Sequence, residues 1–384
     1  MIDSRVPRLL HLAETITGGV TTYLNEIMAA QAAAFGTDNV RILVPDGQAD
    51  ELVAVDPRMI VTYPRTGRDT RSLISFCSAA QRALRDFQPS IVHVHSSFAG
   101  ALARPMLALT RPRPRVVYCA HGWSFLMDVP RHKRQIYAIM ERALCRLTDV
   151  VINISNHEHQ QAQLYGIDAD KCVVVRNAIS RSSATKGDVA RMFDDACINL
   201  LFVGRFDRQK GLDLLLAVMK RLEGTPTRLH VIGACVNEDR NEQAAGNVNI
   251  LGWLPRHAID RYYAAADAVV MPSRWEGFGL VAIEAMRNST AVIVSNRGAL
   301  PELVEDGKTG YVFDLDEGDL GNLERLLRGL DKTRLAQMGK AARQHFSRNF
   351  TADAMNRSLI EIYAALHQRP LSAGTVLQLS RSNS

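Results

Sequence analysis

The sequence predicts an α/β protein built from two doubly wound domains, on three observations. Short β-branched apolar runs alternate with longer stretches of helical periodicity, the alternation occurs twice, and a polar segment separates the two series. The length of 384 residues and the 47% apolar content suit two cores better than one. The first series reads VPRLLHL (6–12), VRILV (40–44), IVHVH (91–95), VVYCA (116–120), VVINI (150–154) and CVVVR (172–176). Strands alternating with helices make βαβ units and a mostly parallel sheet covered on both faces. SRSSATKGD (180–188) is small and polar, as a linker should be. The second series follows it: INLLFVG (198–204), RLHVIG (228–233), VNIL (248–251), AVVMP (268–272) and AVIVS (291–295). A (β/α)8 barrel is the alternative, but the polar break has no natural place in it.

The expected division is therefore 1–180 and 181–350, then a helix over 351–368 and a loose polar tail over 369–384. In ADAMNRSLIEIYAALH (352–367), Met355, Leu359, Ile362 and Leu366 fall on one stripe at helical spacing. Two such domains make a cleft between them plausible.

Composition narrows the function classes. The net charge is +6, most of it in the first 180 residues, and all but eight of the 46 basic residues are Arg, which suits recognition of carboxylates and phosphates. No basic block interleaved with aromatics and no nucleic-acid-binding signature appears, so a nucleic-acid partner is not expected. The six cysteines stand singly, without a C-x-x-C pair, and suggest neither a disulfide framework nor a zinc site. The expected compartment is the cytoplasm: no signal-peptide pattern opens the chain, and no apolar stretch is long enough to span a membrane.

Two segments carry chemistry. GRFDRQKG (204–211) follows the strand INLLFV, and ligands of parallel sheets sit at strand carboxyl ends. Arg205 and Lys210 together offer a fork of N–H donors and a point charge, as a diphosphate requires, although two ordinary surface cations would read the same way. SRWEGFGLVAIEAM (273–286) places Glu276 before a helix start near Gly279 and Glu284 in its second turn. A helix start is a ready anion site, and Glu276 alone could equally be an acidic cap on the helix dipole. In the first half, TGGVTTYL (17–24) sets Gly18 and Gly19 at a strand-to-helix turn, and AHGW (120–123) puts His121 at a strand end. His93 and His95 share one face of IVHVH and read as structural. Without a G-x-G-x-x-G or G-x-x-x-x-G-K-[ST] pattern the dinucleotide and P-loop readings lose their main support, and without G-x-S-x-G the easiest hydrolase reading goes.

Taken in order, Gly18–Gly19, His121, Arg205 and Lys210, the Glu276–Glu284 pair and GALPELVEDGKTGYVF (298–313) resemble retaining glycosyltransferase family 4, of GT-B fold, over roughly residues 8–367. The first half, notably HGWSF, is similar to sugar transferases of bacterial exopolysaccharide and lipopolysaccharide assembly. The resemblance implies two Rossmann-like domains facing across a cleft. It implies a nucleotide-sugar donor on the second domain, a glycan or polyprenyl-diphosphate-linked acceptor on the first, and transfer with retention and without a metal or other cofactor. Arg205 and Lys210 would neutralise the diphosphate, and Phe278, Gly279 and Leu280 would offer backbone N–H groups to it. Glu284 would accept from the ribose, Glu276 would contact the transferred sugar, and Gly18, Gly19 and His121 would approach that sugar from the other domain.

Three segments depart from the family pattern: NAIS (177–180) lacks the usual Asn-Gly, VIGACVNED (231–239) lacks a second glycine, and SNRGALPE (295–302) has one glycine where two are frequent. Two rival readings use the same fold, a nucleotide-sugar epimerase and a non-catalytic nucleotide-sugar-binding subunit. Arg131, Lys133 and Arg134 ahead of IYAIMERALCRL raise peripheral contact with an anionic membrane face as a further expectation, against an ordinary helix packed on the sheet.

Overall fold

The computed structural model describes residues 6–182, 193–234 and 245–368. Most of the linker, the end of VIGACVNED and the tail from 369 lie outside the described residues. Contacts group the chain into two units, Met1–Ser180 with Ala352–Ser384, and Arg181–Thr351.

The first unit is a seven-stranded sheet whose paired strands all run parallel. Its strands are β1 (Leu9–Ala13), β2 (Val40–Pro45), β3 (Ile60–Tyr63), β4 (Ile91–His95), β5 (Arg115–Cys119), β6 (Val150–Asn153) and β7 (Cys172–Val174). Its helices are α1 (Gly19–Phe35), α2 (Thr70–Phe87), α3 (Ser97–Leu109), α4 (Arg131–Cys145) and α5 (Asn156–Leu164). The strand order 3-2-1-4-5-6-7 reverses direction between β1 and β4. Every residue of β1 and β4 is buried, because helices cover both faces.

The second unit repeats the plan with β8 (Ile198–Val203), β9 (Thr227–Ile232), β10 (Val248–Gly252), β11 (Ala268–Met271), β12 (Ala291–Ser295) and β13 (Gly310–Phe313). Its helices are α6 (Leu212–Arg221), α7 (Arg256–Ala265), α8 (Leu280–Arg287), α9 (Leu300–Leu303), α10 (Gly321–Arg328) and α11 (Lys332–Asn349). The order 10-9-8-11-12-13 is again parallel and reverses between β8 and β11.

Two strands escape the reading of the sequence, β3 (IVTY) and β13 (GYVF). Both are four-residue edge strands, so neither needs the continuous apolar run that marks a central strand. The last helix, α12 (Ala352–Gln368), belongs to the first unit, where it packs on α1 and β4. Met355, Leu359, Ile362 and Leu366 are all buried, as the stripe predicts.

One ion pair inside the first unit has no signal in the sequence. Arg104 of α3 donates to Glu141 of α4 at 2.6 Å, the Tyr118 hydroxyl donates to the same carboxylate at 2.9 Å, and all three residues are buried. Gly100 lets Tyr118 lie against α3, since a Cβ there would stand 2.6 Å from the ring.

Helix starts differ in what caps them. α2, α3, α5 and α11 begin at Asp69, Ser96, Ser155 and Asp331, whose side chains accept from the first turn. α1, α6 and α8 begin at Gly18, Gly211 and Gly279 with no side-chain cap. These three follow β1, β8 and β11, three of the four strands that flank the two reversals, and so leave backbone N–H groups without a side-chain cap where ligands of such sheets bind; the fourth, β4, leads into α3 with its Ser96 cap.

Candidate functional sites

The second unit brings its predicted charged residues to one place. The loop 204–211 leaves the end of β8 and the loop 272–279 leaves the end of β11, so both rise from the strand reversal. Lys210 Nζ donates to Glu276 Oε2 at 2.7 Å, with side chains 19% and 11% exposed. Ser273 Oγ donates to the same oxygen at 3.4 Å. The Glu276 carboxylate is thus held by a lysine, and no side chain makes a capping hydrogen bond at the start of α8. Arg205 is half-exposed, and it pairs with Asp207 at 3.0 Å and reaches Gln209 at 3.3 Å.

The two loops are braced together. Arg274 donates to both carboxylate oxygens of Asp213, at 2.8 and 2.7 Å, to Glu317 at 2.8 Å and to the Arg208 carbonyl at 2.8 Å. These partners push its pKa above the ordinary arginine value, first through the Asp213 hydrogen bonds. Gln209 bridges as well, giving its carbonyl to Arg274 N at 2.8 Å and its amide to the Trp275 carbonyl at 3.2 Å. The approach is so close that two positions require glycine. A Cβ on Gly211, at φ 70°, would lie 2.1 Å from the Pro272 carbonyl oxygen, and one on Gly298, at φ 61°, would lie 2.1 Å from that of Glu276. The single glycine of SNRGALPE is the one that the backbone of Glu276 rests on.

α8 starts at Leu280 after Gly279 in the left-handed region. Phe278 turns its ring into the core, edge-on to Phe350 at 6.2 Å, and so anchors the loop. Glu284 is half-buried, and the buried Tyr263 hydroxyl donates to its Oε2 at 2.9 Å. Tyr263 lies on α7, where the sequence offers no reason to single it out.

In the first unit, Gly18 and Gly19 are exposed at the turn after β1, and Gly18 holds φ 75°. His121 follows β5, is half-buried and takes φ 52°, a left-handed backbone that a non-glycine residue rarely adopts. Tyr23, on the first turns of α1, stands edge-on to His121 at 4.7 Å, so the glycine turn and the histidine belong to one locality.

His121 is also the outer end of a chain of imidazoles. His121 Nε2 meets His95 Nδ1 at 3.0 Å, His95 Nε2 meets His11 Nδ1 at 2.9 Å, and His11 Nε2 meets Gln31 Oε1 at 2.7 Å. His93 stacks beside them and binds the Tyr363 hydroxyl of α12 at 2.7 Å. Burial pushes His11 down to about 4 and His121 to about 3, and holds His93 and His95 well below the ordinary histidine value. His93 and His95 are both fully buried, in keeping with their reading as structural, and His95 is in addition the hydrogen-bond partner of His121. The signal was the i, i+2 spacing of IVHVH, which sends His95 toward the strand end where His121 stands.

Nitrogens of His11, His93 and His95 lie within 4.8 Å of one another, which raises the question of a metal. The set does not fit one. Both nitrogens of His11 and both of His95 are already engaged in hydrogen bonds, to each other, Gln31 and His121, which leaves His93 Nε2 as the one ring nitrogen of the three without a partner.

The sequence of the chain matches the description Glycosyltransferase Family 4 over residues 17–183 and Glycosyl transferases group 1 over residues 194–345. It is 31% identical over 366 residues to an uncharacterized 41.2 kDa protein in the cps region of Klebsiella pneumoniae, covering 92% of this chain and 99% of that one. The chain belongs to glycosyltransferase family 4. Solved structures agree on the fold of this glycosyltransferase. Sucrose-phosphate synthase from Thermosynechococcus elongatus superimposes with a TM-score of 0.79 at 20% identity, covering 94% of this chain and 99% of that one. The Anabaena protein HepE, solved in complex with UDP and glucose, gives 0.77 at 17% identity, with 94% and 100% covered. The glycosyltransferase is thus a GT-B protein of two parallel-sheet, Rossmann-like units. Among its described residues no helix is long and apolar enough to cross a membrane.

Proposed function

We propose that the protein is a retaining, metal-independent hexosyltransferase that moves a sugar from a UDP- or GDP-sugar to a glycan or lipid-linked acceptor in surface polysaccharide biosynthesis. The observation that carries this reading is the Lys210–Glu276 pair at the strand reversal of the second unit, beside the uncapped starts of α6 and α8. Lys210 and Arg205 neutralise the charge that grows on the departing diphosphate, and N–H groups of Phe278, Gly279 and Leu280 add preorganised dipoles. Glu284, aimed by Tyr263, accepts from the ribose hydroxyls.

In the reaction the bond from the anomeric carbon to the phosphate oxygen breaks, and the acceptor hydroxyl oxygen bonds to that carbon on the same face. The hydroxyl proton passes to the departing phosphate. Glu276 supports the positive charge that develops on the sugar, and Gly18, Gly19 and His121 on the first unit contact the sugar hydroxyls. The cps-region relative supports the polysaccharide context, and the UDP complex of HepE supports a nucleotide donor.

Peripheral membrane contact belongs to the same reading. α4 buries only Ala138, Glu141 and Cys145, while Ile136 and Ile139 are 59% and 56% exposed beside exposed Arg131, His132 and Lys133. Apolar side chains flanked by cations suit an anionic lipid face. Charge reversal of Arg131, Lys133 and Arg134 is expected to abolish partition onto anionic vesicles, and unchanged partition would remove this part of the reading.

The test of the reaction is incubation with UDP-, GDP- and ADP-sugars with and without a glycan acceptor. Nucleotide release that depends on acceptor is expected with one donor. Conversion of the sugar nucleotide alone would indicate an epimerase, and tight binding without turnover across the acceptor panel a binding subunit.

A further inference from the structure

We propose that His95, His11 and Gln31 are positioning residues, which hold His121 in the tautomer whose Nδ1 is unprotonated and accepts a hydrogen bond from a hydroxyl of the sugar substrate. The proposal rests on the reading above, in which His121 contacts that sugar.

The argument follows the protons. Gln31 Oε1 is an acceptor, so His11 Nε2, 2.7 Å away, carries the hydrogen. A neutral imidazole has one N–H, so His11 Nδ1 is a lone pair and receives the Nε2–H of His95 at 2.9 Å. His95 Nδ1 is then a lone pair in turn, and at 3.0 Å it receives the Nε2–H of His121. His121 is left with an unprotonated Nδ1. The direction of every bond is thus set by one amide oxygen three links away.

Three features make the chain a device and not a packing accident. His11, His95 and Gln31 are fully buried, so water is not at hand to satisfy a ring nitrogen and relax the order. The rings are in register, His11 and His95 stacked at 5.2 Å and His95 and His121 at 5.2 Å, with Tyr23 edge-on to His95 and His121. Strain is stored where the chain emerges: Ser96 at the end of β4 holds φ 75° and His121 at the end of β5 holds φ 52°, a cost of about 1 kcal/mol or more for each. Burial keeps the rings neutral, which the one-proton bookkeeping requires. The consequence is chemical: an acceptor at His121 selects a hydroxyl donor on the substrate.

Long-range proton–nitrogen NMR correlation of the full chain with nitrogen-labelled histidine tests this, with the His121 signal assigned by its loss in His121→Gln. In the wild type, His121 is expected to show a protonated Nε2 and an unprotonated Nδ1 from pH 5.5 to 8. A protonated Nδ1, or titration within that range, overturns the proposal without recourse to any variant. Gln31→Leu removes the terminal acceptor and is expected to put protons on both His121 nitrogens in exchange, whereas Gln31→Glu keeps an acceptor oxygen and should preserve the wild-type pattern. With an active donor, Gln31→Leu should lower kcat about tenfold while donor KM stays within about twofold, and Gln31→Glu should recover most of it. A tautomer that moves while kcat does not would show that the chain does not serve the reaction. If the wild type turns over no sugar nucleotide while the tautomer pattern holds, the reading of the reaction fails and the ordered chain stands.

Discussion

The two units share a topology and differ in the chemistry placed at its reversal point. The second unit gathers permanent charge there: Lys210 and Glu276 in contact, Arg205 beside Asp207, and Glu284 on a tyrosine hydroxyl. The first unit gathers neutral imidazoles and amides, joined end to end and almost free of solvent. The contrast matches what each would meet under the proposed function. A diphosphate needs cations that stay cationic, held in place before charge develops, whereas a sugar hydroxyl needs only a directed lone pair.

The largest effect that would sharpen this contrast is at the charged pair. Glu276→Ala is expected to lower kcat by about 10²–10³-fold, since on the proposed role it removes a group aimed at developing charge. The loss should fall on kcat more than on donor KM, and a KM effect alone would break the role given to Glu276. Steady-state kinetics with saturating donor decides between them.

A second prediction concerns pH and separates the units. His11, His93 and His95 have folded pKa values below their unfolded value, so the unfolded chain binds more protons and stability falls as pH drops below about 6.5. The slope is at most about 1.4 kcal/mol per pH unit for each, down to the folded value. In the second unit His230 alone among the described histidines is pushed down, to about 4, and the carboxylates of Asp194, Asp213, Glu305 and Glu324, held below their usual range, stay charged in this window. Hydrogen exchange on the full chain, corrected for intrinsic rates, should show β1 and β4 losing more protection between pH 7 and 5 than β8 and β11 do. Equal losses would contradict the neutral state of the histidine cluster.

The smallest expected effect is on donor affinity. Glu284→Ala should raise donor KM about tenfold, the cost of one charged hydrogen-bond acceptor, with kcat within about twofold. Tyr263→Phe should raise it only about threefold, because the carboxylate loses its orienting donor and keeps its charge. A larger effect for Tyr263 than for Glu284 would place the tyrosine itself on the ligand.

Much of this was legible beforehand for a physical reason. Central strands buried on both faces are mostly apolar, so LLHLA, IVHVH, AVVM and AVIVS mark themselves, while the edge strands IVTY and GYVF do not. Lys210 and Glu276 stand out because each ends or follows such a run. What escaped depends on pairs distant in sequence. Gln31 is one of several polar residues on α1 until His11 is found beside it, and Arg104 and Glu141 look like surface charges until α3 and α4 meet. Breaking that pair by Arg104→Met leaves Glu141 buried with only Tyr118, and should cost about 3–5 kcal/mol in chemical denaturation.

The central claim is that the strand reversal of the second unit holds the donor diphosphate and the imidazole chain of the first does not. Calorimetric titration of UDP and GDP into wild type, Lys210→Ala and Gln31→Leu tests it most directly. Lys210→Ala should weaken the bound nucleotide about tenfold or more, as loss of a charged hydrogen bond does, while Gln31→Leu leaves its Kd unchanged. Wild-type affinity in Lys210→Ala, or equal weakening in both variants, would contradict it.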